Sequence, residues 1–205
     1  MSRSLVVVSA GLSQPSSTRL LADRLAEAAA RELALDGEQV DVRVIELRDH
    51  AIDVTNNLLT GFASASLQAE IDALTAADGV IAVTPIFTTS YSGLFKSFID
   101  VLDKDSLRGM PVLLGATGGT ERHSLAIDYA LRPLFAYLRA DALATAVYAA
   151  SGDWGGDEAL AERIDRAGSD LADAVRRSRR VAPADPFALP VGFDPSGGAA
   201  ATRSA

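Results

Sequence analysis

The sequence predicts an α/β fold: an open, doubly wound parallel sheet of five strands in the order 2-1-3-4-5, with helices on both faces. Three observations point there. Short apolar runs without charge, several rich in β-branched residues, recur along the chain, the pattern of strands buried on both faces. Between them, apolar residues return at helical spacing, as on helices packed along one side. No tight hairpin signal joins consecutive runs, so the connections read as crossovers and the strands as parallel.

The first strand is Leu5-Val6-Val7-Val8, closing at Ser9. A small-residue loop, Ala10 to Thr18, leads to a helix with Leu21, Leu25, Ala28, Ala29 and Leu33 on one face, ending near Asp36-Gly37. Val40 to Ile45 alternates apolar and polar residues, as a strand near the sheet edge does. Residues 49–66 show weak periodicity and read as an irregular excursion carrying Asn56-Asn57 and Gly61. Leu67, Ile71 and Leu74 indicate a short helix before the third strand, Gly79 to Val83.

Phe95, Phe98, Ile99 and Leu102 mark the next helix, and Pro111 opens a fourth strand through Ala116. A helix from about Ser124 has Ile127, Leu131, Leu134 and Leu138 as its face, with Pro133 kinking or dividing it. Ala142 to Ala150 is the fifth strand. The last helix, about residues 157–178, carries the stripe Leu160, Ile164, Ala167, Leu171, Ala174 and Val175. Residues 1–178 therefore read as one domain. Residues 179–205 form a Pro/Gly-rich tail in which Phe187, Leu189, Val191 and Phe193 alternate.

Composition excludes several classes. A net charge of −8 disfavours nucleic acid, whose phosphates demand a concentrated basic surface. With no cysteine and only His50 and His123, neither a disulfide framework nor a metal cluster is expected. No apolar run approaches the roughly 18 residues of a membrane helix, and the first residues lack a signal peptide, so a cytoplasmic location is expected. There is no Walker loop, no G-x-G-x-x-G and no G-x-S-x-G elbow. The ends of the first and third strands also lack the acidic residues of a phospho-acceptor domain.

In the predicted order, the loops after strands one, three and four converge at the switch point where ligands bind. The first offers Ser9, Ser13, Ser16, Ser17, Thr18 and Arg19 around a helix start, which suits a phosphate or simply a capped helix. The second, Thr84 to Lys96, holds Pro85, Ile86, Phe87, Thr88, Tyr91 and Ser92, suited either to a planar ligand with polar edges or to packing and capping. The third, Gly115 to Thr120, lets backbone approach a ligand at Gly118 and Gly119, and His123 follows it. Arg176 to Arg180 and Trp154 stand apart, as a solvated helix end and as a stacking or interface residue.

These loops resemble those of the flavodoxin-like NAD(P)H-dependent FMN reductases, in the branch that supplies reduced flavin to two-component, luciferase-like monooxygenases. The resemblance rests on Ser16-Ser17-Thr18-Arg19, the run Thr84 to Lys96, Gly118-Gly119-Thr120 with His123, and Asp128 to Leu134, and covers roughly residues 5–150. It implies FMN with its phosphate held by Ser16, Ser17, Thr18 and Arg19, with Ser9 nearby. Its ring would lie across Pro85, Ile86, Phe87 and Thr88, with Tyr91 and Ser92 close. Thr117, Gly118 and Gly119 would close the other side, with His123 at the border. It further implies NADPH or NADH as hydride donor, a homodimer or homotetramer, and a partner monooxygenase. No acid–base residue is needed, because the chemistry is the cofactor's. The loops leave open a quinone or azo reductase that keeps its FMN, and a non-enzymatic electron carrier.

Overall fold

The computed structural model describes residues 2–35, 37–156 and 158–180. In chain order the elements are β1 (Ser2–Ser9), α1 (Ser17–Ala34), β2 (Gln39–Glu46), α2 (Ala51–Thr60), α3 (Ala65–Ala76) and β3 (Gly79–Phe87). They continue with β4 (Ser90–Tyr91), α4 (Gly93–Asp100), β5 (Pro111–Gly118), α5 (Arg132–Tyr137), β6 (Asp141–Ala150) and α6 (Glu158–Arg177). The sheet runs β2-β1-β3-β5-β6 with every neighbouring pair parallel. That is the expected 2-1-3-4-5 order, because β4 is a two-residue appendage on β3.

The appendage is a hairpin that the sequence reading lacks. Ile86 pairs with Tyr91 and Phe87 with Ser90, antiparallel. Its tip residues, Thr88 and Thr89, have φ of 48° and 70°. Such turns ordinarily use Asn or Gly, and β-branched residues are rare at positive φ, so no turn signal is written there.

Both faces of the sheet are covered. α1 and α6 pack on one side, where Leu21, Leu25, Leu33, Leu160, Ile164 and Leu171 meet Leu5, Val7, Ile81 and Leu113. On the other side Leu67, Leu74, Phe95, Phe98, Leu131 and Phe135 meet Val6, Val8, Val80 and Leu114. Phe95 and Phe135 tilt against each other with centroids 6.3 Å apart. Burying each such ring contributes about 2–3 kcal/mol.

Three stretches differ from expectation. Most of residues 49–66 is helical: a 3₁₀ turn at Leu47–His50 continues into α2, which Gly61 ends in a left-handed cap at φ 78°. Only Val54 of α2 is buried, so no periodic apolar stripe was there to read. The segment after β5 is divided, with a π-turn at Ile127–Leu131 before α5 and Pro133 in the first turn of α5. The extra residue of the π-turn rotates the following face, and Phe135 rather than Leu134 is buried beside Ile127, Leu131 and Leu138. Finally, arginines in the last turn of α6 and just beyond it bond back to the fold. Arg180 donates to the carbonyls of Thr75, Ala77, Ser106 and Arg108, and Arg176 to that of Glu32. Burial lowers the Arg180 pKa, and the four carbonyl acceptors answer that desolvation. The alternating Phe187 to Phe193 lies outside the described residues. No helix among the described residues is long and apolar enough to cross a membrane.

α1 and α6 approach closely at Gly168. A Cβ there would sit 2.6 Å from the Ala28 Cβ and 2.8 Å from the Ala28 carbonyl carbon. Alanine normally exceeds glycine in a helix by about 1 kcal/mol. Overpacking should win here, and Gly168→Ala is expected to destabilise the protein by about 1–3 kcal/mol in urea unfolding. A rise in the urea midpoint would show that the two helices separate freely.

Candidate functional site at the carboxyl edge of the sheet

β3 outruns β1. Ser9 is level with Val83, yet β3 continues to Phe87, with Pro85 level with Thr117 of β5. The end of β3 is therefore flanked by β5 on one side and stands clear of β1 on the other. The first loop folds into the space that β1 vacates.

That loop has the features of an anion seat. Ser16 caps α1 by accepting from the Arg19 amide at 3.2 Å. The amides of Ser17 and Thr18, in the first turn, have no intrahelical acceptor, and the first turn carries no acidic residue. The Ser9 hydroxyl is buried without a hydrogen-bond partner, which costs about 1–3 kcal/mol unless something fills the gap. A Cβ on Gly11 would collide with the Ser16 hydroxyl, so the loop closes this tightly only with glycine.

Two cations border the seat. The Arg19 guanidinium is held by Asp23 and Glu46, each at 2.7 Å, and hydrogen bonding to Asp23 is the main reason its pKa lies above the ordinary value. Arg48, which the sequence reading passed over, stands 3.6 Å from Glu46 and reaches the Ser13 carbonyl at 3.5 Å. Its position follows from the turn after β2, which no local pattern announces.

The first and third loops are joined by a buried bond between the hydroxyls of Thr18 and Thr117, 2.8 Å apart. The third loop is fixed in turn by Tyr148, another residue the sequence reading missed. Its hydroxyl donates to the Thr120 carbonyl at 2.7 Å and lies where a Cβ on Gly118 would be. The available signal was a lone tyrosine in an alanine-rich strand, level with Ala116.

In the second loop, the Thr84 hydroxyl accepts from the Ser92 amide at 3.0 Å, and the Ser92 hydroxyl caps α4 through the Phe95 amide at 3.1 Å. Tyr91 is partly buried with its ring 6.2 Å from that of Phe95. Pro85 and Ile86 are buried, whereas Phe87 and Thr88 are exposed on the outer face. Gly119 has open space where a Cβ would stand, and His123 is half-buried in the 3₁₀ turn that follows. Trp154, in the 3₁₀ turn after β6, lies under the guanidinium of Arg24 at 5.4 Å. Among the described residues no cluster of His, Cys, Asp or Glu has the makings of a metal site.

Burial, then the charges of Asp153 and Glu121, push the Tyr148 phenol above its ordinary value. The neutral form is therefore favoured on folding, and that stability is present below pH 10 and lost as pH rises through the raised value. Tyr148→Phe should cost about 1 kcal/mol at pH 8. Wild type should lose that advantage in thermal midpoint as the buffer passes pH 10; a gap that is constant with pH would refute the account.

Residues 3–155 match the family described as NADPH-dependent FMN reductase. An FMN reductase (NADPH) of Pseudomonas aeruginosa is 41% identical over 73% of this chain and 78% of its own length. The NADH-dependent FMN reductase SfnF of Pseudomonas putida is also 41% identical, over 71% of this chain and 76% of its own. Among solved structures, an oxidoreductase from Corynebacterium diphtheriae is 44% identical with a TM-score of 0.84, covering 86% of this chain and 98% of its own. A WrbA-like flavodoxin from Agrobacterium tumefaciens, 20% identical over 87% of this chain and all of its own, shares the fold with a TM-score of 0.59. The match spans all three edge loops and five strands, and the chain belongs to the NADPH-dependent FMN reductase family.

Proposed function

We propose that the protein uses NADPH or NADH to reduce FMN and delivers the reduced flavin to a monooxygenase. The observation that carries this reading is the openness of the second loop: Phe87 is 47% exposed and Thr88 lies bare beside it, so a flat ligand placed there is reachable from solvent. A permanently held flavin calls for deeper enclosure, since buried ligands lose most of their surface to protein.

The residues present fit FMN. The unpartnered Ser9 hydroxyl, with the amides and hydroxyls of Ser16, Ser17 and Thr18, would hold its phosphate. Arg19 and Arg48 would supply positive charge from behind their carboxylates. Pro85, Ile86, Phe87 and Thr88 would bed the ring, with Tyr91 and Ser92 shaping that bed from behind. Thr117, Gly118 and Gly119 form the opposite wall, and His123 stands at its rim. Bound there, FMN would supply the hydride-accepting ring. The chain positions it and aims backbone amides at charge that develops on it.

Purified protein should oxidise NADPH or NADH when FMN is added, with turnover dependent on free flavin concentration. Flavin that co-purifies at one per chain and never exchanges would instead point to a quinone or azo reductase. Binding without turnover would indicate an electron carrier.

Self-association is part of the proposal. α2 and its cap expose Ile52, Leu59 and Phe62 at 77%, 80% and 80%, with Leu58 at 46%. Ile52 and Leu59 are seven residues apart and so share a face. Apolar surface gathered in this way calls for a cover, and a second copy supplies a matching one. Sedimentation should show a dimer or tetramer for wild type and a monomer for the Leu59→Glu/Phe62→Glu double variant. A monomeric wild type would rule out self-association.

A further inference from the structure

The charges behind the anion seat do not all favour an anion. β2 ends at Glu46, which pairs in register with Ser9 of β1. Side chains paired in register project to the same face of a sheet. On that face Leu5, Val7 and Val44 join the α1 core, so Glu46 flanks the start of α1 beside the Ser9 hydroxyl.

The Glu46 carboxylate lies between the two guanidiniums. One oxygen is 2.7 Å from Arg19 Nη1, and the other is 3.6 Å from Arg48 Nε. Asp23 takes Arg19 Nε at 2.7 Å, and Asp49 stands 3.5 Å from Arg48 Nε. Two cations thus face three carboxylates before any ligand arrives. The three are not equal. The side chains of Asp23 and Asp49 are 39% and 66% exposed and screened by water, whereas that of Glu46 is 17% exposed. Of the three, Glu46 alone approaches both arginines. At 3.6 Å it attracts Arg48 without satisfying it: Arg48 Nε, like the Ser9 hydroxyl, is buried with no hydrogen-bond partner. A phosphate in the seat would find unmet hydrogen-bonding groups and, behind them, an opposing charge.

We propose that Glu46 weakens the hold on the flavin phosphate and so keeps the flavin exchangeable. It does this by sharing both guanidiniums that would otherwise neutralise a phosphate carrying nearly two charges. The proposal rests on the reductase reading above, in which reduced FMN has to leave. Glu46 is a positioning residue, acting through Arg19 and Arg48. Its effect is confined to flavins that bear a phosphate, because riboflavin brings no charge to the seat.

The test is fluorescence titration of the full chain with FMN and with riboflavin, in the absence of any nicotinamide donor. Glu46→Gln keeps an oxygen that can accept from Arg19 and removes the charge. It should tighten FMN binding about tenfold, slow FMN release in stopped-flow displacement in proportion, and steepen the weakening by added salt. Riboflavin should bind equally to wild type and Glu46→Gln. Glu46→Asp retains the charge and should stay close to wild type. FMN affinity that is unchanged or weaker in Glu46→Gln would overturn the proposal, as would an equal gain for riboflavin. If Glu46→Gln does not fold, Asp23→Asn decides, at a more exposed carboxylate that meets Arg19 alone. Tightening of about threefold for FMN and none for riboflavin would support the proposal, and no tightening would overturn it. Wild type that binds FMN but oxidises neither NADH nor NADPH is a different result: it defeats the reductase reading and leaves the comparison of FMN with riboflavin standing.

Discussion

A strand buried on both faces has no place for a polar side chain except at its ends. β1, β3 and β5 obey this constraint: from Leu5 to Val8, Gly79 to Val83 and Val112 to Ala116 they carry only apolar residues and glycine, and polar side chains begin at Ser9, Thr84 and Thr117. The hydroxyls thus collect along one edge because the sheet's interior rejects them. At that edge each must still find a partner. Thr18 and Thr117 find each other, Thr84 meets the Ser92 amide, and Ser9 alone of these four is left without one. An unmet hydroxyl among met ones leaves a place at this edge for a further polar atom.

The same constraint explains what could be read in advance. Continuous apolar runs and the one-sided stripes of α1 and α6 follow from burial, and burial leaves a periodic trace in sequence; Leu160, Ile164, Ala167 and Leu171 are all in the core. The three converging loops follow from strand order, so Ser16, Pro85 and Gly118 stand out together. What stayed hidden is set by backbone strain or by distant partners. Thr88 and Thr89 turn the chain without turn residues, and after the π-turn before Pro133 it is Phe135 that is fully buried, with Leu134 only partly buried against the same core. Tyr148, Arg48 and Arg180 act on loops 28 to 105 residues away, and sequence spacing carries no record of such reach.

The two faces of the sheet do different work. The α1–α6 side is closed and tight, with a glycine where the helices cross and leucines throughout. The opposite side carries the exposed residues of α2, the strained hairpin and the divided segment before α5. Left-handed threonines cost on the order of 1 kcal/mol or more each and persist only where surrounding structure holds them. Here the Ile86–Tyr91 pairing and the Thr84–Ser92 bond do so, and they set the height of Phe87 above the sheet. One face of the sheet is thus closed and rigid, and the other carries the exposed and strained segments.

Arg180 has a bearing on how the polypeptide is strung. Its guanidinium grips the Ala77 carbonyl, and one residue further on Asp78 bonds both the amide and the carbonyl of Ser4. The beginning of β1 and the end of the described chain therefore meet at a single corner, on the edge of the sheet away from the three loops. The start of β1 and residue 180 are thus neighbours at the pole opposite the three loops, and attachments made at that pole leave every strand pairing intact. A reporter or a surface tether attached at that corner would leave the mouth of the site facing free solution.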